Sequence, residues 1–503
     1  MHFKRPLQRE AKSFSNGGGL WSRMSCILIG LLFCCVVPVL HGVEPFVDTK
    51  GRLQKRILQV AKELKIPEAD LSYSIRIPEL GLISHMSMAP RIPASTMKLV
   101  VAAAAWERLG PDFLFKTDLL TDGPVSNGTL EGNLYVVGRG DPAVVGRENV
   151  EDVLWELRPW CSILKKQSIE SIRGKVLADV RYFSGSGFHS DWRKDSAQKW
   201  YYASSGALNL NDNCLDLWLG PLKDGAVMLD VQPVQPLASL TQRLKLTEKS
   251  SKHLIRIDRR FSQWDVAISG TFYEKAGRQK FHVTVPDPAS HFVGAFSELL
   301  SEEGLKLLGQ DVVSDQPLVL LDSIQHSLQS RTPVLLKNSQ NLYADSVFRV
   351  LGRESGGDGS FESSAEILKQ WVLENYDHTD HLVFRDGSGL SRKNRLTSRF
   401  LLEAVERALV QDWSQEFIRS LAVAGVDGTL KKRLKGEGLK GRVYAKTGSL
   451  TGVSSLAGAY WPSDDAEPVT FAMICNRKKG SASSARKWQD RVLEAIRREI
   501  AGN

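Results

Sequence analysis

Pro93-Ala94-Ser95-Thr96-Met97-Lys98-Leu99-Val100-Val101-Ala102 is the stretch on which the reading of this chain turns. The apolar, alanine-rich run after it predicts a helix from Lys98 toward Leu109. On a helix, residues three apart share a face, so the Ser95 hydroxyl and the Lys98 amine can meet. Serine is a weak nucleophile until a base takes its proton. Lysine becomes that base only when burial and a neighbouring cation lower its pKa. A helix start also turns backbone N–H groups toward developing negative charge, so the Ser95 N–H is a candidate oxyanion donor. The spacing alone says little, because Ser162–Lys165 and Ser484–Lys487 repeat it and an ordinary helix start accounts for it equally well.

Two further motifs follow in order. Ser339-Gln340-Asn341 stands before a segment with Leu342, Val347, Phe348 and Leu351. Ser and Asn there read alone as helix-capping residues. Lys446-Thr447-Gly448 falls at the edge of an expected strand, with Ser449 next; read alone, it is a solvated lysine before a turn. Read together, Ser-x-x-Lys, Ser-x-Asn and Lys-Thr-Gly are the parts of a serine acyl-transfer site. Ser95 attacks and Lys98 is its base. Ser339 relays a proton toward the leaving amine, and Asn341 holds the substrate amide and orients the lysines. Lys446 supplies the second cation and, with Thr447, binds a terminal carboxylate. Gly448 lets substrate backbone approach closely, and the Ser449 N–H is the second oxyanion donor.

The fold expected around these motifs is α+β. Leu53, Ile57, Val60, Ala61 and Leu64 recur at helical steps until Pro67. Leu71, Tyr73, Ile75 and Ile77 then alternate as a half-buried strand. At the far end, Val443–Lys446, Ser454–Trp461 and Val469–Cys475 read as strands, and a helix carrying Trp488, Val492, Leu493, Ile496 and Ile500 closes the chain. One antiparallel sheet flanked by helices, assembled from both ends of the chain, is expected. The roughly 240 residues between Lys98 and Ser339 exceed a typical domain and consist of short alternating runs broken by turns. They read as a β-rich insertion of one or two small domains, with the polar stretch Trp192–Asn213 as a loop-like seam. The expected division is a leader over 1–42, the first part of the catalytic domain over 43–115, the insertion over 116–325 and the second part over 326–503. Gly356–Ser360 reads as a mobile loop.

The bulk properties exclude more than they assign. Of the net charge of +9, +4 lies within residues 1–42. The remainder suits an anionic wall or membrane surface and forms no basic, aromatic-interleaved stripe for nucleic acid. Basic residues through Arg23, an uncharged run from Met24 to Leu40 and a small residue at Gly42 read as an export signal, cleaved or retained as an anchor. Cys161, Cys214 and Cys475 remain after that segment, an odd number; a Cys161–Cys214 bridge is left open. Asp377-His378-Thr379-Asp380-His381 lacks a zinc-enzyme pattern, and no nucleotide-binding fingerprint occurs. No cofactor or metal is expected.

With these motifs in hand, the chain resembles the low-molecular-mass penicillin-binding proteins with a large insertion, the serine D-alanyl-D-alanine carboxypeptidase/endopeptidases of the DacB type. Also similar are Gly138–Pro142, Tyr202–Asn213, Asp386-Gly387-Ser388-Gly389-Leu390-Ser391, Ala424–Leu430 and Lys446–Val453. The resemblance implies a serine transpeptidase/β-lactamase-like domain with small domains nested between the first two motifs. It implies hydrolysis of D-alanyl-D-alanine bonds and peptide cross-links in peptidoglycan, through an acyl-enzyme that β-lactams trap. Its implied partners are peptidoglycan peptides and β-lactams, without nucleic acid, with membrane contact at most peripheral or through an uncleaved leader, and with a periplasmic location. By the same matching, Asp141 helps recognise the amino end of a diamino-acid side chain, although Arg139 stands where glycine is usual; a turn residue before Pro142 is the alternative. Asp386 and Ser388 shape a loop beside the site. A serine β-lactamase would share the nucleophile but not so large an insertion, and a non-catalytic wall binder would not need all three motifs.

Overall fold

The computed structural model describes residues 48–145, 151–222, 225–477 and 482–501; the expected leader lies outside them. The two ends of the chain meet in one six-stranded antiparallel sheet. Its order is Ala422–Val423, Val443–Leu450, Val453–Tyr460, Val469–Asn476, Leu71–Ile77 and Gly81–His85. Both faces are covered, so the central strands are apolar without alternation, and Val453–Tyr460 is buried along its whole length. On one face lie the first helix, Thr49–Glu63, and the last, Ala482–Ala501. Leu53, Ile57 and Val60 of the first meet Trp488, Val492 and Ile496 of the last in one core. Asp48 caps the first helix by accepting from the Gly51 N–H.

On the other face lies the helix that carries the first motif, Met97–Leu109. Ten consecutive residues, Met97–Trp106, are buried, so this helix is enclosed on every side. Ala102 to Ala105 keep its girth small, and the helices Leu328–Leu336, Asn341–Glu354 and Ser398–Leu409 close around it. The first two motifs therefore lie on adjacent packed helices, and the third lies on the sheet beside them.

Two strands lead away from this body and back to it side by side. Leu114–Thr121 pairs antiparallel with Val319–Ser327 across roughly two hundred residues of sequence. Leu134–Gly138 and Val176–Asp179 extend that sheet. Its core joins Leu119, Val136, Trp160, Phe292, Phe296 and Leu299. A further core, with Leu217, Ile268, Phe272 and Val283, lies between two three-stranded sheets. One of these is Val227–Gln232, Cys214–Pro221 and Gln279–Thr284; the other is Leu240–Thr247, Val266–Tyr273 and Leu254–Arg259.

Cys161 and Cys214, whose pairing the sequence left open, are both free and buried, as is Cys475. Trp192–Asn213 is loop-like as expected, with only short 3-10 turns, but Trp192, Ser205, Asn209, Asn211, Asp212 and Asn213 are buried. Its polar side chains satisfy irregular backbone, as when Asn213 Nδ2 donates to Ser204 O and Asn209 Oδ1, both at 2.7 Å. Gly356–Ser360 is an ordered turn whose Ser360 caps the helix Phe361–Asn375. Buried Arg349 clamps both segments, donating to Gly359 O, Ser184 O and Ser205 O while its guanidinium lies 4.3 Å from the Phe183 ring centroid. Arg349→Ala would take the buried partner from the carbonyls of Gly359 and Ser205 and release that of Ser184, and thermal or urea unfolding should register a loss of about 3 kcal/mol.

Candidate active site

The turn that carries Ser95 is built from strain and close contact. A 3-10 turn, Ala94–Thr96, precedes the helix, and Ala94 has φ of 49°. For a residue bearing a Cβ, that conformation costs on the order of 1–2 kcal/mol. Its surroundings hold it there. Pro93 O accepts from Thr96 Oγ1 at 2.8 Å and from Ser455 Oγ at 2.5 Å, fastening the turn to the sheet. Ser95 is left partly exposed, whereas Lys98, one helical turn on, is fully buried.

Lys98 Nζ is the meeting point of the site. It lies 3.1 Å from Ser95 Oγ, 2.7 Å from Asn341 Oδ1 and 2.5 Å from Ser388 O. A neutral amine has two N–H donors and one lone pair. Asn341 Oδ1 and the Ser388 carbonyl can only accept, so they take both donors, and the lone pair is left facing the serine hydroxyl. Burial lowers the Lys98 pKa to about 8 against the opposing pull of Asp345 and Asp386.

The Asn341 side chain is oriented from both ends, because its Nδ2 donates to Tyr201 O at 2.7 Å. One turn later on the same helix face, Asp345 Oδ1 accepts from the Gly387 and Ser388 N–H groups, both at 2.9 Å. Burial pushes the Asp345 carboxyl well above the usual range, with the nearby Asp386 charge adding to it. Asp386 accepts from Gly389 N, Ser391 N, Asn394 Nδ2 and Trp192 Nε1 at 2.7–2.8 Å. These two carboxylates fix the turn that presents the Ser388 carbonyl to Lys98.

The second and third motifs meet at Lys446 Nζ, which donates to Ser339 Oγ and to Thr447 O, both at 2.8 Å. Lys446 is fully buried; burial and then the charge of Lys98 drive its pKa well down. Ser339 has φ of 60°, a left-handed kink that puts its hydroxyl before the helix rather than on it. Thr447 hydrogen-bonds Thr429 through their hydroxyls at 2.8 Å. Its strand pairs on the outer side only at Tyr444 and Ala445, with Val423 and Ala422. From Lys446 to Ser449 that edge carries no strand among the described residues, and an extended peptide can add there.

Gly448 is required by the protein's own packing. A Cβ at this position would lie 2.1 Å from Ser455 Oγ, 2.8 Å from Pro93 O and 2.9 Å from Ser95 N. The glycine lets the third-motif strand press against the Ser95 turn itself. Ser449 is exposed next to it, opposite Ser454 in register.

Asp141 does not join this cluster. It is fully buried, with one carboxylate oxygen 2.9 Å from Ala143 N and the other 2.8 Å from His326 Nδ1. His326 Nε2 in turn lies 2.9 Å from Glu156 Oε1, and these carboxylates hold its pKa up at about 9 against burial. Both carboxylate oxygens of Asp141 thus have partners within the protein.

The residues that sequence reasoning missed are mostly carbonyls and orienting groups: Ser388 O, Tyr201 O, Asp345 and Asp212. Asp345 had a signal, standing four residues after Asn341. Asp212 had none. It sits in a left-handed turn, Asn211–Asn213, with φ between 47° and 54°, and its Oδ2 accepts from Gln340 Nε2 at 2.5 Å. The insertion thereby grips the middle residue of the second motif.

Comparison with known proteins follows this geometry. Residues 78–496 match the model of the D-Ala-D-Ala carboxypeptidase 3 (S13) family. The chain belongs to that family. It is 29% identical over 413 residues to a D-alanyl-D-alanine carboxypeptidase of Actinomadura sp., covering 78% of this chain and 75% of that one. It is 26% identical over 400 residues to D-alanyl-D-alanine carboxypeptidase DacB of Haemophilus influenzae, covering 76% and 80%. Penicillin binding protein 4 (dacB) of that organism shares the fold, with a TM-score of 0.73 at 23% identity over 88% of this chain and 99% of that one. The protein is thus a serine-type D-Ala-D-Ala carboxypeptidase of the DacB kind, a penicillin-binding hydrolase of peptidoglycan peptides.

Two variants test the geometry. Gly448→Ala should slow acylation of Ser95 at least tenfold, because the strand must move off the Ser95 turn. Asp212→Ala should lower kcat/KM on a D-Ala-D-Ala peptide about tenfold by freeing a buried Gln340 amide, with Asp212→Asn intermediate.

Proposed function

We propose that Ser95 is the nucleophile, Lys98 its base, and Ser339 with Lys446 the proton path to the leaving amine. What supports this most is the meeting at one amine of motifs 243 residues apart, Lys98 Nζ on Asn341 Oδ1. Substrate lies along the open edge of the third-motif strand, its terminal carboxylate at Lys446 and Thr447. That negative charge favours the ammonium form of Lys446, and a cation there disfavours a second one on Lys98. The lone pair of Lys98 then takes the Ser95 proton as Oγ attacks the carbonyl. The oxyanion faces the N–H groups of Ser95 and Ser449. Lys446, through the Ser339 hydroxyl, returns a proton to the departing D-alanine nitrogen. Lys98 hands the proton taken from Ser95 to Lys446 through the Ser339 hydroxyl, which restores both lysines to their starting forms; Lys98 then takes a proton from the attacking water and returns it to Ser95 Oγ as the acyl group leaves.

Cleavage of a peptide cross-link requires nothing different on the acyl side, since the same D-alanyl carbonyl is attacked and only the amine differs. Endopeptidase action is therefore part of the proposal. Such substrates lie outside the cytoplasm, in keeping with an export leader in residues 1–42. Among the described residues no helix is long and apolar enough to cross a membrane.

Fluorescent penicillin should label the wild type and not Ser95→Ala, read on a denaturing gel; absence of label on folded wild type would contradict the nucleophile. Lys98 must lose its proton before it can act, so the acylation rate should rise with pH and level off at about 8. Stopped-flow acylation across pH 6–10 checks this, and Lys98→Arg, which cannot give up its proton, should fall by about a thousandfold or more.

A further inference from the structure

The three-stranded sheet farthest in character from the catalytic machinery has one face in the core and one in solvent. Leu244, Ile268 and Ile257 point inward. Register places Arg243, Ser269 and Arg256 in one row across the exposed face. The next row is Lys245, Thr271 and Leu254. Both outer strands thus raise long cationic side chains, and in these two rows the middle strand carries only Ser269 and Thr271, with Ala267 before them and Tyr273 at the end. Side-chain length alone makes this a trough, roughly 10 Å from one outer strand to the other.

Charge on this face is uncompensated. Arg243, Lys245 and Arg256 are exposed and enter no ion pair among the described residues. Other surface arginines are paired in part, as Arg158 is with Glu303 and Arg173 with Glu131, but here three cations stand together without an acid among them. The face carries one acid, Asp258, at its end opposite Ala267. Leu254, 53% exposed, adds an apolar spot beside Thr271 that suits the flat face of a sugar ring. Edge-strand lysines and arginines do deter strand pairing, but that role asks nothing of the middle strand, whose short side chains open the space between them.

We propose that this face binds peptidoglycan itself, gripping an extended stretch of the polymer through the carboxylates of its stem peptides. The inference rests on the peptidoglycan reading given above. An enzyme whose substrate is an insoluble network gains from a second attachment, because the next peptide is then met at high effective concentration. Carboxylates spaced along a strand match cations spaced along a trough, and guanidinium groups pair with them in two-point fashion.

The test is co-sedimentation of the full chain with purified insoluble peptidoglycan, alongside hydrolysis of a soluble D-Ala-D-Ala peptide. Arg243→Glu/Lys245→Glu/Arg256→Glu should cut the sedimented fraction at least fivefold at low salt and leave soluble-peptide turnover unchanged. The neutral set Arg243→Gln/Lys245→Gln/Arg256→Gln, a check against misfolding, should fall in the same direction. Wild-type binding should weaken as salt is raised, and peptidoglycan whose carboxyls have been chemically amidated should not retain it. Undiminished sedimentation of both folded variants would overturn the proposal. So would wild-type binding to anionic phospholipid vesicles but not to peptidoglycan. Failure of the wild type to hydrolyse the soluble peptide would instead strike at the catalytic reading.

Discussion

Everything in this active site depends on one buried amine being able to exist without its proton. Lys98 Nζ has two acceptors that cannot donate, Asn341 Oδ1 and Ser388 O, and one hydroxyl, Ser95 Oγ. A cation there is penalised by burial, and the neutral form loses no hydrogen bond. The acceptors in turn need fixing, which explains a second ring of structure. Tyr201 O holds the far end of Asn341, and Asp345 and Asp386 hold the turn of Ser388. Two buried carboxylates so near a lysine look at first like a device to keep it charged. Their hydrogen bonds come instead from backbone N–H groups and, for Asp386, also from Asn394 Nδ2 and Trp192 Nε1, and the elevated pKa of Asp345 lessens its pull.

The same logic accounts for the placement of the insertion. A chain that inserts its middle between the first two motifs risks separating them. Here Leu114–Thr121 and Val319–Ser327 leave and return as a pair, so the helices of Ser95 and Ser339 remain neighbours. The middle of the insertion also touches the site, through Tyr201 O on Asn341 and Asp212 on Gln340. The insertion is thus part of the wall that orients the second motif.

Much of this was legible in the residues. The three motifs, the sheet made from both ends of the chain and the enclosed helix after Ser95 follow from spacing and periodicity, because those signals are local. The loop character of Trp192–Asn213 was legible but its burial was not, because polarity in sequence does not distinguish a side chain facing water from one satisfying buried backbone. Only coordinates show that the missing Cβ of Gly448 also makes room for Ser95 N and Ser455 Oγ, a contact between segments far apart in sequence. The partners of Asp141, His326 and Ala143, were likewise not legible, because His326 lies on a strand far along the chain.

The measurement that bears most directly on this account is the titration of Lys98 itself. In protein labelled with 13C at lysine Cε, the Lys98 resonance is identified by its loss in Lys98→Arg and followed by NMR from pH 5 to pH 11. Titration near pH 8 is the predicted result. A midpoint near the ordinary lysine value of about 10.4 would mean that the amine keeps its proton, and that Ser95 is activated by some other group.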